Sequence, residues 1–231
     1  MPSITCGPWV GEFGWELFCW QAQLRHRFER AQGLEVICYT RPGHGLLYED
    51  FAQVRYFEPG SYADTWKWVT KEPPAFEFPA QDISRKPGKF IRFGKASEEK
   101  SYDFLFHARE RWHNRPSDNW LRSNWYELAE KLPGKKACVG TFRQAAALSG
   151  CDDLRGVPLA ELADYLASSS VIVGPTSGPM HFATLCGCPQ VVWSAYPRSR
   201  QRYEKLWNPF AVQASVIESS SPTVLEVEEL L

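Results

Sequence analysis

The chain has 231 residues, with 26 Lys and Arg against 27 Asp and Glu, a net charge of −1, 44% hydrophobic and 23% charged residues. That is the balance of an ordinary soluble globular protein, long enough to bury a core in one domain or two small ones. No stretch approaches the roughly 20 apolar residues of a spanning helix, and Met1–Cys6 has no basic n-region, so neither a transmembrane segment nor a secretory leader is expected and the cytoplasm is the expected compartment.

Aromatic residues are abundant, with 10 Trp, 9 Tyr and 14 Phe. Their flat faces serve a core as well as a sugar or a base, and composition does not choose between these uses. The seven cysteines are odd in number and form no CxxC pair with a second CxxC or a His pair, so reduced, mostly buried thiols are expected rather than a zinc site.

Taken in order, Ser3–Cys6 reads as a short strand and Gly7 to Glu16 as a Gly-rich loop. A helix follows from Trp15 to about Ala31, with apolar Leu17, Phe18, Trp20, Ala22, Leu24 and Phe28 and a basic end that suits the helix dipole. Leu34–Thr40 reads as a strand, Arg41–Gly45 as a loop, Leu46–Phe51 as a short helix and Val54–Phe57 as a strand. This β-α-β-α-β order argues for a parallel sheet with helices on its faces. Ser61–Lys71 is read as helical, Glu72–Gly88 as a Pro-rich connection and Lys89–Phe93 as a strand, with the domain boundary between about 90 and 101.

In the second half, Tyr102–Ala108 reads as a strand, followed by a segment dense in Arg, Trp and His from Arg109 to Trp120. A helix runs from Trp120 to near Leu132, Lys136–Gly140 is a strand, Thr141 begins a short helix and Asp153–Gly156 is a loop. Pro158–Ser168 has a Pro at its start and apolar residues at helical spacing. Arg198, Arg200, Arg202 and Lys205 alternate with Tyr196, Tyr203 and Trp207, as a phosphate or nucleic-acid groove does and as a solvated face does too. Val212–Ile217 reads as a last strand and Val224–Leu231 as a short acidic helix.

The stretch from Val171 to Trp193 carries the clearest chemistry. A β-branched run leads into the turn Gly174-Pro-Thr-Ser-Gly178, then into a helix closed by Gly187 and Pro189, then into a strand at Gln190–Trp193. Unpaired N–H groups at a helix N-terminus hold phosphate well, although a plain crossover with a Thr/Ser cap reads the same way. In the first half, Glu12 and Glu16 sit at a strand-to-helix junction, where open α/β sheets place their chemistry. Either is a candidate general base, and either is equally a partner for the helix dipole.

Gly174-Pro-Thr-Ser-Gly-Pro-Met-His-Phe-Ala183, with Leu185-Cys-Gly-Cys-Pro-Gln-Val-Val192 after it, resembles the donor-binding segment of the ADP-heptose:lipopolysaccharide heptosyltransferases. Leu154-Arg-Gly-Val-Pro-Leu-Ala-Glu-Leu-Ala163 and Trp120-Leu-Arg-Ser-Asn-Trp-Tyr-Glu-Leu-Ala129 resemble two further segments of that family. The likeness covers roughly Tyr102 to Trp193. It departs where Trp15 stands in place of the family's basic Asp, Thr176 in place of an Asp, and Asp118 about where a phosphate-binding Lys is usual. The heptose donor and the lipopolysaccharide acceptor are therefore not carried over.

The resemblance implies an α/β protein of GT-B-like architecture, two small Rossmann-like halves with parallel sheets facing a cleft. Residues 1–95 would form the acceptor side and 101–231 the nucleotide-sugar side. It implies an inverting, metal-independent glycosyltransferase with a nucleotide-sugar as co-substrate and no cofactor. Glu12 or Glu16 would be the base. Thr176, Ser177, Gly178, Pro179, Met180, His181, Arg109, Arg111, Thr141 and Arg143 would bind the donor, with the backbone N–H groups of Gly178 to His181 on the diphosphate. Arg115 and Arg122 are further candidates for its charge. His181 either donates near the diphosphate or satisfies a nearby carbonyl. The acceptor is a saccharide or glycan, with a hydroxymethylated DNA base as a second class suited to the Arg/Trp and Arg/Tyr runs. Trp15 and Thr176 also admit a non-catalytic nucleotide- or glycan-binding module.

Overall fold

Parallel strands need a crossover between neighbours, and here short helices and turns supply them. In a computed structural model, residues 2–9, 11–29, 33–56, 88–111 and 116–231 are described. The chain divides into two compact units, Met1–Ile91 and Arg92–Leu231.

The first unit holds a three-stranded parallel sheet of β1 (Ser3–Cys6), β2 (Glu35–Thr40) and β3 (Gln53–Tyr56), in that order. Cys6 lies opposite Cys38, and Thr40 opposite Tyr56. Between β1 and β2 the chain forms α1 (Phe13–Trp15), a wider π-helical turn (Glu16–Trp20) and α2 (Gln21–Phe28). The single helix expected from Trp15 thus starts earlier and is broken by a π turn, which buries Glu16, Leu17, Phe18 and Trp20 together. The short helix expected at Leu46–Phe51 is a 3-10 turn at Gly45–Leu47 followed by plain turns.

The expectations for Ser61–Lys71 and for all but the last residue of Glu72–Gly88 lie outside the described residues. Lys89–Phe93 is not a strand. The N–H of Lys89 donates to the carbonyl of Ala22 at 2.9 Å, and that of Phe93 to the carbonyl of Leu185 at 3.1 Å. Its backbone partners are helix carbonyls, so no ladder forms. Gly94 follows at φ +79°, where an added Cβ would overlap the carbonyl of Ala163, so glycine is required there.

The second unit contains a six-stranded parallel sheet of β4 (Phe104–Phe106), β5 (Lys136–Gly140), β6 (Asp152–Arg155), β7 (Val171–Pro175), β8 (Gln190–Trp193) and β9 (Ala214–Ile217). Their order is β6-β5-β4-β7-β8-β9, the doubly wound order in which the winding reverses between the two central strands. Helices α3 (Arg122–Lys131), α4 (Leu159–Ala167) and α5 (Gly178–Cys186) lie between strands, the single turn α6 (Ser199–Gln201) precedes a π turn at Arg202–Leu206, and α7 (Val224–Glu228) closes the chain. Adjacent Ile172 and Val173 on β7 are both fully buried, so the sheet is covered on both faces.

Two local expectations are corrected. Asp153–Gly156 is largely strand β6, the sheet edge, whose charged residues read as loop although such charges are usual on edge strands. Thr141 begins a tight turn and not a helix. The carbonyl of Thr141 accepts from both Gln144 and Ala145, and Ala145 then bridges Arg109 in antiparallel fashion.

One face of the sheet is closed by Trp120, Trp125 and Trp193, whose rings lie 5.0–5.4 Å apart and which gather Phe106, Val173 and Val227 around them. None of the seven cysteines is disulfide-bonded. Among the described residues no helix is long and apolar enough to cross a membrane. Trp125→Ala leaves a cavity beneath α3 and is expected to lower the unfolding free energy of the full chain by about 3–5 kcal/mol, measured by urea denaturation. A loss under about 1 kcal/mol would show that the tryptophan cluster does not hold this face.

Candidate active site

In a doubly wound sheet, the carboxyl ends of the two central strands leave a crevice where ligands bind. Here those strands are β4 and β7, paired with Phe106 opposite Val173. Beyond β4 come His107, Arg109 and Arg111, and beyond β7 come Thr176, Ser177 and the start of α5. The structure thus brings Arg109 and Arg111 to the same sheet end as the turn 174–178.

Arg109 is held there by its bridge to Ala145 and is almost wholly buried. Its Nη1 donates to Asn119 Oδ1 at 3.4 Å and lies 3.9 Å from the Asp118 carboxylate. The same Asn119 amide accepts from the Arg111 N–H and donates to the Arg111 carbonyl, so it ties down the backbone carrying both arginines. His107 was missed by the sequence reading. Burial drives its pKa down to about 4, the charges of Arg109 and Arg111 add to that, and its bond to the Val139 carbonyl opposes it. It is therefore a neutral ring below the turn. Its signal was a lone imidazole ending an apolar strand.

The turn itself sorts the candidates. Ser177 takes the N-cap position of the nine-residue α5 in extended backbone, yet its side chain makes no capping bond. Its hydroxyl oxygen is screened from solvent and has no hydrogen-bond partner among the described residues. A buried hydroxyl left this way carries a desolvation cost that a bound acceptor or donor removes. The first-turn amides of Gly178 and Met180 are those that a helix leaves without an internal acceptor.

Pro179 has no N–H, and the His181 N–H donates to the Ser177 carbonyl at 3.1 Å, so the expected row of amides from Gly178 to His181 is reduced to two. The Thr176 hydroxyl lies 2.9 Å from the Tyr203 hydroxyl. His181 stacks on Tyr203 at 4.8 Å and meets Trp207 edge-on at 4.7 Å, with Arg202 over Trp207 at 4.3 Å. Most of the aromatic run 196–207 is therefore folded against α5. Arg200 is paired with Glu204 and Glu218.

The remaining candidates stand apart. Thr141 and Arg143 are exposed on the turn after β5, and Arg122 is paired with Glu110 at 2.8 Å on the surface. Arg115 lies outside the described residues.

The first unit has its own polar centre, at the carboxyl ends of β1 and β2. Glu16 is fully buried. Its Oε1 accepts from the Tyr48 hydroxyl at 2.8 Å and from Thr40 at 3.4 Å, and its Oε2 accepts from His44 Nδ1 at 2.8 Å with Arg41 at 3.9 Å. Burial pushes this carboxyl up, but the His44 and Arg41 charges with the His44 and Tyr48 hydrogen bonds outweigh it, so its pKa is lowered. Glu12 takes the N-cap position of α1, and its carbonyl accepts from the Trp9 indole at 3.2 Å.

The second unit is a doubly wound parallel sheet and the first a smaller parallel α/β unit, which is a heptosyltransferase-like glycosyltransferase fold. No family profile matches the chain. No curated protein matches its sequence. Among solved structures, the iron-containing dodecameric glycosyltransferase TibC of enterotoxigenic Escherichia coli superposes with a TM-score of 0.56 at 16% identity over 86% of this chain and 60% of that one. TibC has also been solved in complex with ADP-D-β-D-heptose. The E. coli ADP-heptose lipopolysaccharide heptosyltransferase II matches with a TM-score of 0.54 at 15% identity over 100% of this chain and 97% of that one. A family 9 glycosyltransferase of Veillonella parvula gives 0.53 at 11% identity, over 99% of this chain and 87% of that one. At these identities the likeness establishes the fold, and the chain spans 60% of the length of TibC.

Because the folded-state pKa of Glu16 lies below its unfolded value, its contribution to stability is complete above the ordinary carboxylate range near pH 4.3 and is lost as pH falls towards the folded value. Glu16→Gln is expected to flatten the fall in unfolding free energy below about pH 4.3, followed by denaturant titrations across pH 2.5–6. An unchanged slope would show that Glu16 is not ionised in the native state.

Proposed function

We propose that the chain is a glycosyltransferase that moves a sugar from a nucleoside-diphosphate sugar to a hydroxyl of a saccharide or glycan, with inversion. The second unit would hold the donor, with its diphosphate at the start of α5, and the first unit would supply the base. The single observation that carries this is the buried, uncommitted Ser177 hydroxyl at the N-cap of α5, at the switch point of the sheet. The TibC complex with ADP-heptose supports the donor class.

In such a transfer the acceptor oxygen bonds to the anomeric carbon while the bond to the diphosphate breaks, so negative charge grows on the leaving group. Donors already aimed at that charge lower the barrier. The Ser177 hydroxyl, the Gly178 and Met180 amides and the Arg109 and Arg111 guanidinium groups fit that task. These donors would meet the charge in the place of a bound metal. Neutral His107 adds no further charge to the crevice.

Nucleoside diphosphate release from ADP-glucose, UDP-glucose and GDP-mannose tests the activity, with calorimetry for binding of the free diphosphates. Ser177→Ala is expected to weaken nucleoside diphosphate binding about 10-fold or more, the worth of a hydrogen bond to a charged group. Binding unchanged by Ser177→Ala would remove the α5 turn from the donor site. Binding without turnover of any donor would make the chain a nucleotide-binding module of the same fold.

A further inference from the structure

A general base must present a lone pair to the proton it removes. The carboxylate of Glu16 does not: it is sealed from solvent, and both its oxygens are engaged by Tyr48, Thr40 and His44. The ring of His44, in contrast, keeps 20% of its side chain exposed. With Nδ1–H donating to Glu16 at 2.8 Å, the ring carries its lone pair on Nε2 once its second proton is lost to solvent, and Nε2 has no hydrogen-bond partner among the described residues.

From this geometry, and resting on the transfer reading above, we infer that His44 is the general base and that Glu16 is the buried residue that positions it. The arrangement follows the logic of a catalytic carboxylate–imidazole pair: the carboxylate selects the tautomer, holds the ring and stabilises the imidazolium. The acceptor hydroxyl loses its proton to His44 Nε2 as its oxygen bonds to the anomeric carbon. The electron pair of the breaking bond leaves with the diphosphate. The imidazolium then returns the proton to solvent.

Three features fix the ring. Phe13 meets it edge-on at 5.2 Å, on the turn that also carries Glu16. The Arg41 guanidinium lies 3.9 Å from the same carboxylate oxygen and binds the Gly11 carbonyl, so the loop that carries His44 is tied to the turn. Behind them, buried Arg25 on α2 holds Asp50 at 2.7 and 2.9 Å and the Leu47 carbonyl at 2.8 Å, which anchors the chain just after His44. A buried carboxylate is costly, and a fold gains little from pairing it. Its opening to solvent through one imidazole is what catalysis needs.

The test uses the full chain with whichever of ADP-glucose, UDP-glucose and GDP-mannose it consumes fastest, and methyl α-glucoside as acceptor. His44→Ala is expected to lower kcat at least 100-fold with the KM for the donor within about 3-fold, and added imidazole is expected to restore part of the rate. Glu16→Gln is expected to lower kcat at least 10-fold, and Glu16→Asp to keep more of it, again with little change in KM. His44→Gln serves if His44→Ala fails to fold, judged by its urea transition. Turnover that survives either His44 change, or a loss that appears on Glu12→Gln instead, overturns the assignment. No turnover of any donor by the unaltered chain overturns the transfer reading and this assignment with it.

Discussion

The pairing of β4 with β7 is the constraint on which the second unit depends. It sets Phe106 level with Val173, so β7 runs two residues past the end of β4 and the residues following both strands emerge at one sheet end. Gly174 makes the close approach possible, because an added Cβ would stand 3.0 Å from the His107 carbonyl and 3.2 Å from the Met180 sulfur. With that contact closed up, α5 starts three residues beyond the end of β7. The Arg109–Ala145 bridge then aims the chain after β4 back over the same end. The gathering of the turn before α5 and the two arginines at one sheet end is thus a product of strand order.

In the first unit the governing balance is electrostatic. Removing a carboxylate from water favours its neutral form, and Glu16 stays ionised only because His44, Arg41 and Tyr48 surround it. Those partners come from the loop after β2 and the turn that follows it, while Glu16 comes from a π turn in the helix after β1. The wider turn matters, since it lets Glu16 point inward together with Leu17, Phe18 and Trp20. Sheet order and helix irregularity together create this charge cluster.

The segment from β7 to β8 was legible because each of its signals is local. β-branched residues mark the strand, and Gly187 at φ +84° with Pro189 two residues on marks the helix end. Strand β6 was hidden because an edge strand with exposed carboxylates resembles a loop. Lys89–Phe93 is short and rich in aromatic and β-branched residues like a strand, but its hydrogen bonds go to helices. The Glu16–His44 contact spans 28 residues of sequence, and nothing in the Arg41–Gly45 loop taken alone marks its imidazole as a partner. His107 was likewise hidden, because strand periodicity explains its position without any chemistry. Local punctuation is readable from sequence; the register that joins distant segments is not.

Thr176 shows how one departure from the heptosyltransferase pattern fits the rest of the crevice. Two guanidinium groups, Arg109 and Arg111, stand at this sheet end, with the Asp118 carboxylate 3.9 Å from Arg109. His107 is neutral, and the Thr176 hydroxyl is matched to that of Tyr203. A carboxylate at 176 would add negative charge at this sheet end and would have to be buried beside a tyrosine hydroxyl. Threonine adds no charge there, which suits the departing diphosphate of the proposed transfer. Asp118 already places one carboxylate beside Arg109, and the neutral hydroxyl at 176 adds no second one.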